Sequence, residues 1–296
     1  MPTTSTFTTR DGCAIEWRRF PARTAGAGGG SPETLVLLHG WSQSQAMFDR
    51  VAPLLAEERD VVTFDMRNHG LSGRTERGAR IASLAADLAE LLDHLGDERF
   101  HLLGHSMGAS ILWSYLDGHG SARVRSVAFV DQPSVVAVLP WMDPAEAPEV
   151  GAILDFAGLE GFCKVLLGPD GPTARRDFLR TMLTPDIPDA DYEWLAEQNL
   201  LLPMPWGSRL LQDHALQDWR DVLPDVDVPA FVVGGEVSHV APSSQEWIAR
   251  QVPGARLVVF PREQGGAHFA FFEAPAVFAE AYGAFLADVS GRVTAA

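Results

Sequence analysis

The sequence predicts an α/β fold built on a mostly parallel sheet. Three observations predict it. Short, continuous apolar runs recur along the chain, as strands covered on both faces require. Segments with helical spacing of apolar residues alternate with these runs. The rhythm then stops between about residues 133 and 228, and resumes for the last quarter of the chain.

Taken in order, "STFTTRDGCAIEWRRF" reads as two strands folded back at Asp11-Gly12, a strong hairpin signal. "TAGAGGGSPE" is a glycine-rich connection. It is not a phosphate loop, because it precedes a strand instead of joining a strand to a helix. "TLVLLHG", "DVVTFDM", "FHLLGHS", "VRSVAFVD", "PAFVVGG" and "ARLVVF" are the parallel-strand candidates. In "IASLAADLAELLDHLG", Leu84, Leu88, Leu91, Leu92 and Leu95 fall on one helical face, and Gly96 is placed to end the helix. "SMGASILWSYLDG" and "SSQEWIARQV" are further helices. "APAVFAEAYGAFLADV" is the last, with Pro275 at its start. The organisation expected is a core of residues 1–132 and 229–296, interrupted by a helical insertion, 133–228, that caps the active site. Trp141, Trp194, Trp206 and Trp219 lie in that insertion.

The 296 residues are 46% hydrophobic and 21% charged, as in an ordinary globular protein. A net charge of -16 argues against nucleic acid and anionic membrane as partners, and disfavours polyanionic substrates. No apolar run reaches the roughly 20 residues that span a bilayer. The N-terminus lacks the basic and apolar regions of a signal peptide, and Cys13 and Cys163 form no disulfide framework. A cytoplasmic protein is expected.

Gly104-His105-Ser106-Met107-Gly108 is a G-x-S-x-G motif set between an apolar strand and a helix. The serine needs a sharp turn to stand above the sheet, and the flanking glycines leave room for it. A helix N-terminus there favours developing negative charge. With "LLHGW" (37–41), "FDMRNHGLSG" (64–73) and "GGAHFAFFEAP" (265–275), in this order and spacing, the chain resembles the α/β-hydrolases over essentially its whole length. Asn68 stands where that family usually has glycine.

The resemblance implies Ser106 as nucleophile and His268 as base, with the backbone amides of Trp41 and Met107 as oxyanion donors. His39, His69 and His105 are expected to be structural. Trp41, Gln43, Trp141 and Trp206 are candidate substrate-binding residues.

The family's usual acid position, after the seventh strand, holds Ser238, which cannot supply a charge. Asp131, at the end of the sixth strand, is the favoured acid, since catalytic groups gather at the carboxyl ends of parallel strands. Glu236 is the alternative. Glu263 and Glu273 flank His268 in sequence but have poor prospects of reaching its ring. A loop ligand or N-cap is the bland role for Asp131.

The function expected is hydrolysis of a neutral, fairly apolar ester or lactone through an acyl-enzyme, without metal or organic cofactor. The partner implied is a small-molecule substrate, with no particular oligomeric state. Two other readings stay open. One is a cofactor-independent dioxygenase of an N-heteroaromatic substrate, which the chain resembles at "HGW", at the elbow and in the place of the acid. The other is a non-enzymatic ligand receptor on the same scaffold.

Overall fold

The computed structural model describes residues 2–24, 32–143 and 145–294, and the backbone alone of 292–294. Residues 25–31 of the glycine-rich connection lie outside the described residues. The strands are β1 (Thr3–Thr8), β2 (Ala14–Phe20), β3 (Thr34–Leu38), β4 (Asp60–Phe64), β5 (Phe100–His105), β6 (Val124–Val130), β7 (Ala230–Gly235) and β8 (Arg256–Phe260). They form one sheet in the order β1-β2-β4-β3-β5-β6-β7-β8. β1–β2 and β2–β4 are antiparallel, and every other pairing is parallel. The apolar runs read from the sequence are therefore the parallel strands. β3, β5 and β7 are buried at every residue.

The α-helices are α1 (Ala52–Leu55), α2 (Ile81–Leu95), α3 (Met107–His119), α4 (Ala147–Val150), α5 (Phe156–Leu167), α6 (Gly171–Arg180), α7 (Asp189–Leu200), α8 (Trp206–Ala215), α9 (Pro242–Gln251), α10 (Ala270–Glu273) and α11 (Pro275–Thr294). Leu84, Leu88, Leu91 and Leu92 of α2 are buried in the core and Leu95 is partly buried, and Gly96 ends that helix with φ +81°. Two apolar layers sandwich the sheet. One holds Val36, Leu102, Leu88 and Trp113. The other holds Leu37, Phe231, Phe271 and Tyr282.

Between β6 and β7 come α4 to α8, joined by two isolated bridges, Val135 to Asp218 and Ala137 to Leu154. This segment has no strand of the main sheet among its described residues. No described helix is long and apolar enough to cross a membrane.

Asn68 has φ 63°, in the left-handed region where glycine is preferred and asparagine is the best tolerated alternative. Its amide closes the turn, donating to the Thr75 carbonyl at 2.9 Å and accepting from the Thr75 amide at 3.0 Å. Asparagine thus tolerates this left-handed backbone and closes the turn with two side-chain hydrogen bonds.

Candidate active site

The site sits at the carboxyl ends of β3, β5, β6 and β7. Ser106 joins β5 to α3 with φ 54° and ψ -129°, a strained conformation for a residue with a Cβ. Close packing enforces the turn. A Cβ on Gly104 would lie 2.4 Å from the Gly108 carbonyl carbon, and one on Gly108 would lie 2.5 Å from the Leu38 oxygen. Both glycines are therefore steric requirements. The Ser106 amide donates to the Val130 carbonyl at 2.8 Å, which ties the elbow to the end of β6. A Cβ on Gly40 would meet the Ser106 Cβ at 2.9 Å, so the turn after β3 packs directly on the serine.

Met107 is the first residue of α3, and its N–H has no acceptor in the preceding helical turn. Trp41 follows Gly40, so both amides lie on segments packed around Ser106.

Asp131 follows β6 directly and also has a left-handed backbone, φ 52°. Its carboxylate Oδ2 lies 2.6 Å from His268 Nδ1, with both side chains about 2% exposed. Its Oδ1 accepts from the Gly235 amide at 3.2 Å. Ser238 stands at the position where the family's acid is usual. Its hydroxyl donates to Asp131 Oδ2 at 2.5 Å and accepts from the Val240 amide at 3.1 Å. The end of β7 therefore contributes donors to a carboxylate supplied by β6.

The other carboxylates are engaged elsewhere. Glu236 accepts from the Arg262 amide at the surface, at 2.9 Å. Glu273 binds the Thr184 hydroxyl, and burial raises its pKa above the usual carboxylate range.

His268 is held from two sides. Its amide donates to the Met182 carbonyl at 3.0 Å, and its carbonyl accepts from His105 Nε2 at 2.8 Å. Its own Nε2 is buried without a hydrogen-bond partner. Burial drives the His105 pKa well below the usual histidine value, so this ring is a neutral brace. His39 donates to the Gly40 carbonyl and accepts from the Met66 amide, and His69 accepts from the Ser42 amide. Both fix loops, as family position implied.

Ser106 and His268 open into one cavity of about 180 Å³, with Trp41, Gln43, Gln132, Phe162, Phe178, Leu211, His214 and His239 on its wall. Nine of the sixteen wall residues come from 133–228, so that segment forms most of the enclosure over the elbow. Its tryptophans, however, are not on the wall. Trp141 is 70% exposed and reaches Asp218 on the surface. Trp206 is buried in the main core, donating to the Arg77 carbonyl at 3.1 Å. The expectation that Trp141 and Trp206 bind substrate is therefore corrected. One side chain turns to solvent, and the other fills space between α8 and the loop before α2.

The aromatic wall is instead Trp41, Phe162 and Phe178. The indole of Trp41 donates to the Gly207 carbonyl at 2.8 Å, which fixes its ring. The sequence reading missed Phe162, Phe178, His214 and His239. A phenylalanine on an amphipathic helix gives no sign of which neighbour it faces.

Asp131, His239 and His268 bring their ligand atoms within 4.8 Å of one another, a donor set able to accept a divalent cation. The 2.6 Å contact between Asp131 and His268 already satisfies two of the three groups.

An elbow serine and an aspartate–histidine pair stand over a mostly parallel eight-stranded sheet. The model of the alpha/beta hydrolase fold matches residues 33–275, and the chain belongs to that family. It is 26% identical over 253 residues to a putative non-heme chloroperoxidase of Synechocystis, covering 81% of this chain and 86% of that protein. A bromoperoxidase of Bacillus anthracis superposes with a TM-score of 0.83 at 20% identity, covering 96% of this chain and 99% of that one. An esterase of Exiguobacterium antarcticum superposes at 0.79 with 22% identity, covering 95% and 98%. At these identities the two structural likenesses concern the fold alone.

Proposed function

We propose that the protein is a serine hydrolase of a neutral, fairly apolar carboxylic ester or lactone. The observation that carries this reading is the 2.6 Å contact between Asp131 and His268 in the cavity that also exposes Ser106. The carboxylate accepts the Nδ1 hydrogen, which leaves the Nε2 lone pair free towards the cavity. The serine–imidazole hydrogen bond of such sites is often long before substrate binds.

In the reaction, Ser106 Oγ attacks the ester carbonyl carbon as its proton passes to His268 Nε2. Asp131 stabilises the imidazolium. The amides of Met107 and Trp41 receive the oxyanion. Collapse expels the alcohol, which takes the proton from Nε2. Water, activated by the same nitrogen, then releases the acid and restores Ser106. The predominantly apolar wall accounts for the substrate class. The esterase and haloperoxidase names among the similar proteins support a hydrolase scaffold and do not fix the substrate.

The test is labelling by a fluorophosphonate with peptide mapping. Modification at Ser106, abolished in Ser106→Ala, is the expected result. An unlabelled Ser106 in folded protein would refute the reading.

The place of the acid supports one other reading, a cofactor-independent dioxygenase. There the Asp131–His268 pair deprotonates an N-heteroaromatic substrate, and oxygen attacks the anion. Oxygen dependence separates the two. Hydrolysis runs at the same rate under strict anaerobiosis, whereas the dioxygenase reaction stops.

A further inference from the structure

Most of the cavity wall supplied by the segment between β6 and β7 is hydrocarbon, including Val136, Ile153, Leu154, Phe162 and Leu211. His214 interrupts it. This residue lies in the last turn of α8 and is 5% exposed. Its Nδ1 is buried without a partner, and its side chain makes no hydrogen bond to any described residue. Every other member of that wall could be replaced by a leucine without loss of a polar contact. An imidazole there leaves polar atoms unsatisfied in an apolar enclosure, which is costly unless a ligand completes them.

His239 also faces the cavity with an unpartnered Nδ1. Its ring, however, lies 4.5 Å from the His268 ring and belongs to the reacting centre. His214 belongs to the helical segment and touches none of the proposed catalytic groups by any hydrogen bond or ring contact among the described residues.

We propose that His214 is a specificity-determining residue that hydrogen-bonds a neutral polar group, a hydroxyl or carbonyl, on the substrate away from its scissile bond. This deepens the reading of the site as an ester or lactone hydrolase and rests on it. Burial lowers the His214 pKa to about 4, so the ring is uncharged at neutral pH. A neutral imidazole both donates and accepts, which suits a hydroxyl or a carbonyl, and offers no charge to a carboxylate. The substrate is then an ester whose body is apolar apart from one such group.

The experiment compares matched ester pairs that differ by one hydroxyl. p-Nitrophenyl butyrate and 3-hydroxybutyrate carry the difference on the acyl side. Phenethyl and 4-hydroxyphenethyl butyrate carry it on the alcohol side. Wild-type protein is expected to favour the hydroxylated member of one pair about 10-fold in kcat/KM, the net worth of roughly one neutral hydrogen bond. His214→Leu should erase that preference by lowering kcat/KM for the hydroxylated ester more than for the plain one, and His214→Gln, which retains a donor and an acceptor, should keep part of it. Equal preference in wild type and His214→Leu for both pairs overturns the proposal. So does an anionic succinate half-ester preferred through His214.

Titration calorimetry of the same esters on Ser106→Ala separates this result from the hydrolase reading. A Kd ratio that depends on His214, found together with no hydrolytic turnover of either ester by the wild-type protein, keeps this inference and removes that reading. Turnover with no dependence on His214 does the reverse.

Discussion

The sheet and the segment between β6 and β7 place their functional groups by different means. On the sheet, Ser106, Asp131 and the amides of Trp41 and Met107 are set by backbone. Positive φ values, glycines that exclude a Cβ, and hydrogen bonds to strand ends leave these residues little freedom. In the α4–α8 segment the wall is made by whichever side chains face inward, and no backbone feature marks them. Under the proposed function, chemistry would be fixed by strand ends and selectivity by helix faces. A mutation on the first should change rate, and one on the second should change substrate ranking.

Substitution at the elbow should have the largest effect. Ser106→Ala is expected to lower ester turnover by several orders of magnitude, on the scale of about 10⁶ for a serine-protease nucleophile, with little change in thermal stability. Turnover near wild type would break the comparison at its root.

Next comes the acid. Asp131→Asn keeps the shape but removes the charge and invites the wrong His268 tautomer. In the serine-protease template the equivalent change costs about 10⁴. Glu236→Gln should be nearly silent, because Glu236 is occupied at the surface by the Arg262 amide. Measuring both side by side would expose a misassigned acid, since a severe Glu236→Gln beside a mild Asp131→Asn reverses the expectation.

Phe178→Ala enlarges the cavity wall and should reorder a series of acyl chain lengths by roughly 10- to 100-fold, the usual worth of an apolar subsite. Trp141→Ala, at an exposed residue, should leave the order intact. If the two behave alike, the wall is drawn wrongly.

The smallest effect concerns pH. Histidines 39, 69, 105 and 214 are buried and His239 is half-buried, and desolvation holds their pKa values below the ordinary 6.5. The unfolded chain therefore binds protons that the folded chain refuses, and stability falls as pH drops below about 6.5. For His214 the loss continues down to its folded value of about 4. Urea unfolding between pH 7 and 5 should show this decline. His214→Leu should reduce its slope by at most about 1.4 kcal/mol per pH unit. An unchanged slope would mean that His214 is solvated.

The sheet was legible because its strands are apolar throughout and its elbow has a steric signature in Gly104 and Gly108. Asp131 could be proposed from its place at a strand end, and Ser238 from its failure to fit. The hydrogen bond between those two residues was not legible, since the pairing joins strand ends 107 residues apart. The tryptophans misled for a physical reason. An aromatic residue in a helical segment has core, surface and cavity open to it, and composition does not choose among them. Phe162 and Phe178 carry no mark that distinguishes them from Trp206.

The hydroxyl of Ser238 has a consequence for attempts to restore the family's usual residue. Ser238→Asp would set a second carboxyl within hydrogen-bonding reach of Asp131. Two such groups in a buried place cannot both ionise, and they would share a single proton across the pair. The imidazole would then face a dyad with less than two full charges and a carboxyl proton that competes with its Nδ1–H for the carboxylate oxygens. A sequence that moved its acid from one strand to the next would have had to give up the old carboxylate first, or pass through a form titrating with two macroscopic constants. In this protein the hydroxyl at 238 leaves the full charge with Asp131.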